Sequence, residues 1–301
     1  MTRLKSFIKS YLIALRVLSL TLAFASTTYG IIAAYIDGHF TDKAPGYLVL
    51  LISLITVAGL AAQAGANLIN DYFEGSFKYP PQGTKTIKFL KRDRSYFDVF
   101  VFLSGIAALG FAGLIGLYLI YITDIWMLMI GLIGLVGSYA YTGEPFVYKR
   151  KGLGAPLSFL LMGPLMALGA YYPFASSFSW TPILISLPTS LLIPSLMISN
   201  EMRDFLRDKK ISLGTMSVRI GSKASRLIFT TLVLGVYILT IIYVITGFFP
   251  VYALAGFITL PYAIRAINNV RNSQYLGIPN TNKVHLFFSL LIFISFIISF
   301  L

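Results

Sequence analysis

GYLVLLISLITVAGLAAQAGANLINDYFE occupies residues 46–74. It opens with about twenty predominantly apolar residues, enough to carry a helix across the roughly 30 Å hydrocarbon core of a bilayer. Its end changes character, with Asn67, Asn70, Asp71 and Glu74 in the last two turns. A spanning helix that finishes in amides and carboxylates sets the reading of everything around it.

Comparable apolar runs occupy about 11–36, 96–121, 125–142, 154–174, 181–202, 226–247, 249–270 and 283–301. Together with 46–73 they predict nine transmembrane helices and an all-α membrane protein. A composition of 57% hydrophobic and 12% charged residues excludes an ordinary soluble domain. The connections are short, so residues 1–301 are expected to form a single membrane-embedded domain. The apolar stretch after Arg3, Lys5 and Lys9 is too long for a signal peptide and lacks a small-residue cleavage site, which makes it a retained first helix. Without cysteine the chain has no disulfide and no thiolate metal site.

The formal charge of +13 is arranged along the chain in a way that argues against nucleic acid as the partner. Of 24 Lys and Arg residues, all but Lys43 lie in the N-terminal segment, in the connections after the even-numbered helices, or at the helix ends flanking them. The connections after helices 3, 5 and 7 have none. This asymmetry predicts that the N-terminus and the even connections face the cytoplasm. Both acidic clusters lie on that same side, which topology alone does not require.

On a helix, Asn67, Asn70, Asp71 and Glu74 share one face at i, i+3, i+4, i+7. Asn200, Asp204 and Asp208 form a second stripe at i, i+4, i+8, beside Arg203. Acids at a helix C-terminus oppose the macrodipole, so capping is a poor account of them. Ionisable groups close to hydrocarbon are costly and mark function. Carboxylate and amide oxygens are hard ligands suited to Mg²⁺ bridging to phosphate, so a diphosphate is the expected ligand. Arg16, inside the first apolar run, and the basic residues Lys85, Lys88, Lys91, Arg92, Arg94, Lys149, Arg150 and Lys151 suit the same anion. Tyr141, at the end of helix 4, is either an interfacial belt residue or a ring that faces a cation. Neither His39 nor His285 receives a role.

These stretches resemble the UbiA superfamily of intramembrane aromatic prenyltransferases, most closely its MenA-type branch, which prenylates 1,4-dihydroxy-2-naphthoate. Asn67-Leu-Ile-Asn70-Asp71-Tyr72-Phe73-Glu74 is similar to that branch's N-L-x-N-D-Y-x-D. Asn200-Glu201-Met202-Arg203-Asp204 through Asp208 is similar to its N-N-x-R-D-x-x-x-D, and Gly214-Thr215 through Gly221 to the run that follows. Tyr141-Thr142-Gly143 and Gly163-Pro164 fit the pattern of helices 4 and 5, and Arg16 sits where the family has an arginine.

The resemblance implies a helical bundle around a central cavity and a Mg²⁺-dependent transfer through an allylic carbocation. It implies that Asn70, Glu74, Asp204 and Asp208 hold the metal and that these four with Asp71 are catalytic. Arg16, Asn67, Lys85, Tyr141, Lys149, Lys151, Asn200 and Arg203 are then expected to bind substrate, a prenyl diphosphate and a small aromatic acceptor of menaquinone biosynthesis. The chain departs from the pattern in four places. Glu74 and Glu201 replace Asp and Asn, Ala155 stands where an acid is common, and Lys78 and Pro80 stand where a further acid is expected. Other readings are prenyl transfer to a glycerol phosphate ether, a non-catalytic prenyl-lipid binder, and a transporter. Transport fits less well, because transporters place binding groups near the bilayer midplane.

Overall fold

The computed structural model describes residues 3–74, 85–272 and 276–301; Lys78 and Pro80 therefore lie outside the described residues. In chain order the helices and strands begin with α1 (Arg3–Leu15), α2 (Leu20–Ile36), α3 (Pro45–Glu74), β1 (Thr86–Phe89), β2 (Arg92–Ser95), α4 (Tyr96–Ile122) and α5 (Ile125–Ala140). They continue with α6 (Gly154–Leu160), α7 (Met166–Ala175), α8 (Thr181–Ser190), α9 (Leu192–Lys210), α10 (Met216–Ile220), α11 (Ser222–Ile245), α12 (Leu260–Arg271) and α13 (Gly277–Phe300). Eight helical stretches among the described residues are long and apolar enough to cross a membrane, and α5 is a shorter apolar helix. These nine coincide with the nine runs read from the sequence, and the chain is an integral, multi-pass membrane protein.

Packing groups the chain into two compact units. The first comprises the residues up to Phe24 and Lys43–Val147, the second Ala25–Asp42 and Tyr148–Leu301. In the first, α3 and α4 lie close because both present glycine at their contact. A Cβ at Gly65 would fall 2.9 Å from the Gly105 carbonyl, and one at Gly105 would fall 2.9 Å from the Ile69 side chain. Small residues that admit backbones to each other are how helices associate in lipid, where no hydrophobic force drives them together. Ser95 starts α4 with a capping box: its hydroxyl accepts from the Asp98 N–H at 3.1 Å, and Asp98 accepts from the Ser95 N–H at 3.0 Å.

The connection after α3, expected as a loop, contains an antiparallel hairpin with Thr86 opposite Ser95 and Phe89 opposite Arg92. It rests on the end of α3, where Phe89 joins a core of Ile69, Tyr72, Phe73 and Phe102. The Tyr72 hydroxyl donates to the Phe89 carbonyl at 3.1 Å.

In the second unit, the span 154–175 contains a π-helical turn at Leu161–Leu165 around Pro164, whose missing N–H explains the irregularity. Gly163 in that turn abuts Ser190. At the far end of α2, Asp37 accepts from the hydroxyls of Tyr171 (2.9 Å), Ser179 (3.0 Å) and Thr181 (3.0 Å). His39 Nε2 is 2.9 Å from the same Tyr171 oxygen. This carboxylate and imidazole thus tie α2 to α7 and to the start of α8.

Candidate active site

The first unit carries the cluster at the end of α3. Asn70 is buried, and its amide orientation follows from its neighbours, since only one choice pairs donors with acceptors. In that orientation Oδ1 accepts from Arg16 Nη1 (2.8 Å) and Nη2 (3.2 Å), and Nδ2 donates to Glu74 Oε2 at 3.0 Å. Arg16 reaches Asn70 from a break in the chain. Its backbone is left-handed (φ 52, ψ 54), between the end of α1 and a single 3₁₀ turn at Val17–Ser19. The arginine that looked misplaced inside an apolar helix is therefore aimed at the first acidic cluster. Asn67 lies one turn before Asn70 and is buried. Its Nδ2 donates to the Leu15 carbonyl (2.9 Å) and to Ser19 Oγ (2.8 Å), and its Oδ1 accepts from Gln63 (3.1 Å). Asp71 and Glu74 are partly buried.

The hairpin adds cations to this half. The Arg94 guanidinium lies 5.0 Å above the Tyr72 ring, and that of Arg92 lies 5.4 Å above Phe73. Arg92 also pairs with Glu144 just after α5. Lys85, Lys88 and Lys91 are exposed. Tyr141 ends α5 and is half-buried, next to buried Thr142.

The second unit carries the other cluster on the last three turns of α9, which continues unbroken from the membrane to Lys210. Arg203 grips Asp204 with Nε (2.8 Å) and Nη2 (2.5 Å). Arg207 reaches Asp204 at 3.1 Å and Asp208 at 2.7 Å, so a single guanidinium spans the two carboxylates. Asp208 is buried, whereas Arg207 is exposed. The Asn200 amide donates to the Leu196 carbonyl at 2.9 Å. Buried Glu201 accepts the Ser217 N–H at 2.8 Å, and the Leu213 N–H bonds the Asp208 carbonyl at 2.8 Å. Both contacts fold the segment after α9 back onto it. Arg219 fastens the same segment to the preceding basic turn, donating to the carbonyls of Gly214 (2.9 Å) and Arg150 (3.4 Å). Gly152, at φ +81, is required there because a Cβ would strike the Arg219 side chain. This fixes the 3₁₀ turn of Tyr148–Lys151, which holds half-buried Lys149 and exposed Lys151.

The donor set fits Mg²⁺. Asp204 and Asp208 converge enough to share one cation, here Arg207, and the first cluster offers an amide and carboxylates on one face. Among the described residues no group of three or more His, Asp or Glu side chains could hold a metal ion by itself. Such ligand-poor clusters suit an ion that completes its octahedron with substrate oxygens and water. Sequence reasoning left out Gln63 and Arg207. Gln63 continues the polar stripe one turn back from Asn67, and Arg207 lies between the two acids of the second stripe. Both were visible as periodicity.

The UbiA prenyltransferase family matches residues 17–291. The 1,4-dihydroxy-2-naphthoate octaprenyltransferase of Mycobacterium leprae is 26% identical over 221 residues, 73% of this chain and 74% of that enzyme. The apo structure of a UbiA homolog from Aeropyrum pernix superposes with a TM-score of 0.66 at 13% identity, covering 93% of this chain and 98% of that one. A UbiA homolog from Archaeoglobus fulgidus bound to GPP and Mg²⁺ gives a TM-score of 0.56 at 15% identity over 95% and 99% of the chains.

Proposed function

The chain belongs to the UbiA prenyltransferase family, and on that premise we propose that it transfers a polyprenyl group from a prenyl diphosphate to 1,4-dihydroxy-2-naphthoate, in menaquinone biosynthesis. Residues 1–301 act as one catalytic domain, with the active site and the N-terminus on the cytoplasmic side, as the distribution of Lys and Arg supports. The observation that carries this reading is the arginine set against each cluster at the end of a spanning helix, Arg16 on the Asn70 amide and Arg203 and Arg207 on Asp204 and Asp208. The activity in the name of the Mycobacterium leprae relative supports the naphthoate acceptor, and the Archaeoglobus homolog bound to GPP and Mg²⁺ supports the donor and the metal.

In this reading Asn70, Glu74, Asp204 and Asp208 hold Mg²⁺, which when bound neutralises diphosphate charge. Arg16 and Arg203 exchange their present partners for phosphate oxygens, and Lys85, Lys149 and Lys151 add positive potential around the leaving group. Asn200 offers an amide N–H to a remaining phosphate oxygen, and Asp71, whose carboxylate only accepts, balances the positive charge gathered around the leaving group. The allylic C–O bond breaks with its electron pair leaving on diphosphate. Tyr141 offers its ring to the resulting cation, which the electron-rich naphthoate carbon attacks with loss of its proton. The apolar tail stays in hydrocarbon throughout, which is why such chemistry belongs inside a membrane protein.

The test is Mg²⁺-dependent release of diphosphate from geranylgeranyl diphosphate by the purified protein, with and without 1,4-dihydroxy-2-naphthoate. Release that requires both, with a prenylated naphthoate product, is expected. Binding without release would turn the search to other acceptors, a glycerol phosphate ether first.

A further inference from the structure

We propose that Asn67, buttressed by Gln63, is a positioning residue: it holds open the chain break that aims Arg16 at the first acidic cluster and does not itself touch the diphosphate. The inference rests on the reading that Arg16 binds that diphosphate. It revises the role expected for Asn67 and brings in Gln63, which no motif included.

The argument begins with the break. A left-handed backbone is strained for a non-glycine residue and persists only where surrounding contacts impose it. At Arg16 the cost is compounded. The Ser19 N–H that a continuous helix would give to the Leu15 carbonyl goes instead to Arg16, at 2.7 Å. A carbonyl left unmet within an apolar span is costly, because no water is there to bond it. Asn67 Nδ2 supplies the missing donor, and its second N–H goes to Ser19 Oγ. The Ser19 hydroxyl also donates to the Arg16 carbonyl at 2.9 Å, so Asn67 and Arg16 meet at one serine. Gln63 completes the clamp by donating to Asn67 Oδ1. An amide has two donors and two lone pairs; three of the four are committed to this frame. From there the order runs from Arg16 through Asn70 to Glu74. Substitution of the clamp should relax Arg16 toward an ordinary helical backbone and swing its guanidinium off Asn70.

Asn67→Asp retains the shape and removes both donors; Ser19→Ala removes one acceptor together with the hydroxyl's bond to the Arg16 carbonyl, and is the milder variant should the first fold poorly. The experiment measures the Kd of geranylgeranyl diphosphate with Mg²⁺, and KM and kcat with naphthoate, for these variants alone and combined with Arg16→Ala. Asn67→Asp should weaken diphosphate binding about 10- to 100-fold and Ser19→Ala about 3-fold, with Ser19→Thr restoring it. In the Arg16→Ala background both should add less than about 2-fold, because residues acting through one group do not add. Independent, multiplying losses in the double variants would show that Asn67 contacts the ligand itself and would overturn the proposal. Unchanged binding in Asn67→Asp would overturn it too. If wild-type protein fails to bind the diphosphate, or Arg16→Ala leaves binding intact, the functional reading itself is wrong and the clamp falls with it.

Discussion

Both acidic clusters are met by arginine, at the Asn70 amide in the first and at the carboxylates themselves in the second, and they are built in opposite ways. In the second, every member lies on α9: Arg203 holds the residue that follows it, and Arg207 sits between Asp204 and Asp208. One helix is sufficient to place all of them. In the first, Arg16 comes from 54 positions earlier in the chain and meets Asn70 only because a break, a buried amide and two helices cooperate. The local cluster should resist change outside α9, and the distributed one should fail when distant residues are altered.

The largest expected effects come from the acids themselves. Asp208→Asn or Asp204→Asn should lower turnover about 100- to 1,000-fold, the range seen when one electrostatic group is removed from a reacting centre. Melting in detergent should stay close to wild type. Turnover undiminished in both would end the idea that Asp204 and Asp208 hold the metal. Arg16→Ala should rank next, raising KM for the prenyl diphosphate about 10- to 100-fold, as for lost hydrogen bonds to a charged group.

A sharper check of the comparison is Gly105→Val. A Cβ there is already too close to Ile69 and to the Gly65 carbonyl, so the change should destabilise the α3–α4 contact by about 1–3 kcal/mol. Activity should fall with it, whereas an equally large intrusion facing lipid on α11 should leave α9 unaffected. The smallest effect should follow Glu144→Ala. Glu144 is 54% exposed and pairs with Arg92 at 28%, so less than about 1 kcal/mol is expected. A large loss of activity in that variant would mean that the hairpin, rather than α3, positions the first cluster.

The spans and the helical stripes were legible because each depends on periodicity and length alone. Residues 203–208 could be read as a site without knowing any fold. The break at Arg16 was not legible: apolar residues flank it on both sides, and nothing in Leu15-Arg16-Val17 signals a left-handed backbone. The hairpin was hidden for a related reason. Its turn is Leu90-Lys91, with φ 46 and 61, where the favoured sequence would be Asn-Gly. Tertiary contacts with Tyr72 and Phe102 impose that turn on residues that would not choose it. Gln63 was legible as one more turn of the stripe through Asn67, but the partners of that stripe at the break, Leu15 and Ser19, were not.

The bond from Ser217 to Glu201 bears on the exchange of parts between relatives. An Asn at 201, as in the pattern this chain resembles, is one methylene shorter and cannot reach a segment folded for a glutamate. Replacing residue 201 alone would strand the Ser217 N–H, and transplanting the 213–219 loop alone would strand the carboxylate. A chimera must carry both pieces together, so in this region the unit of inheritance is a helix end with its loop.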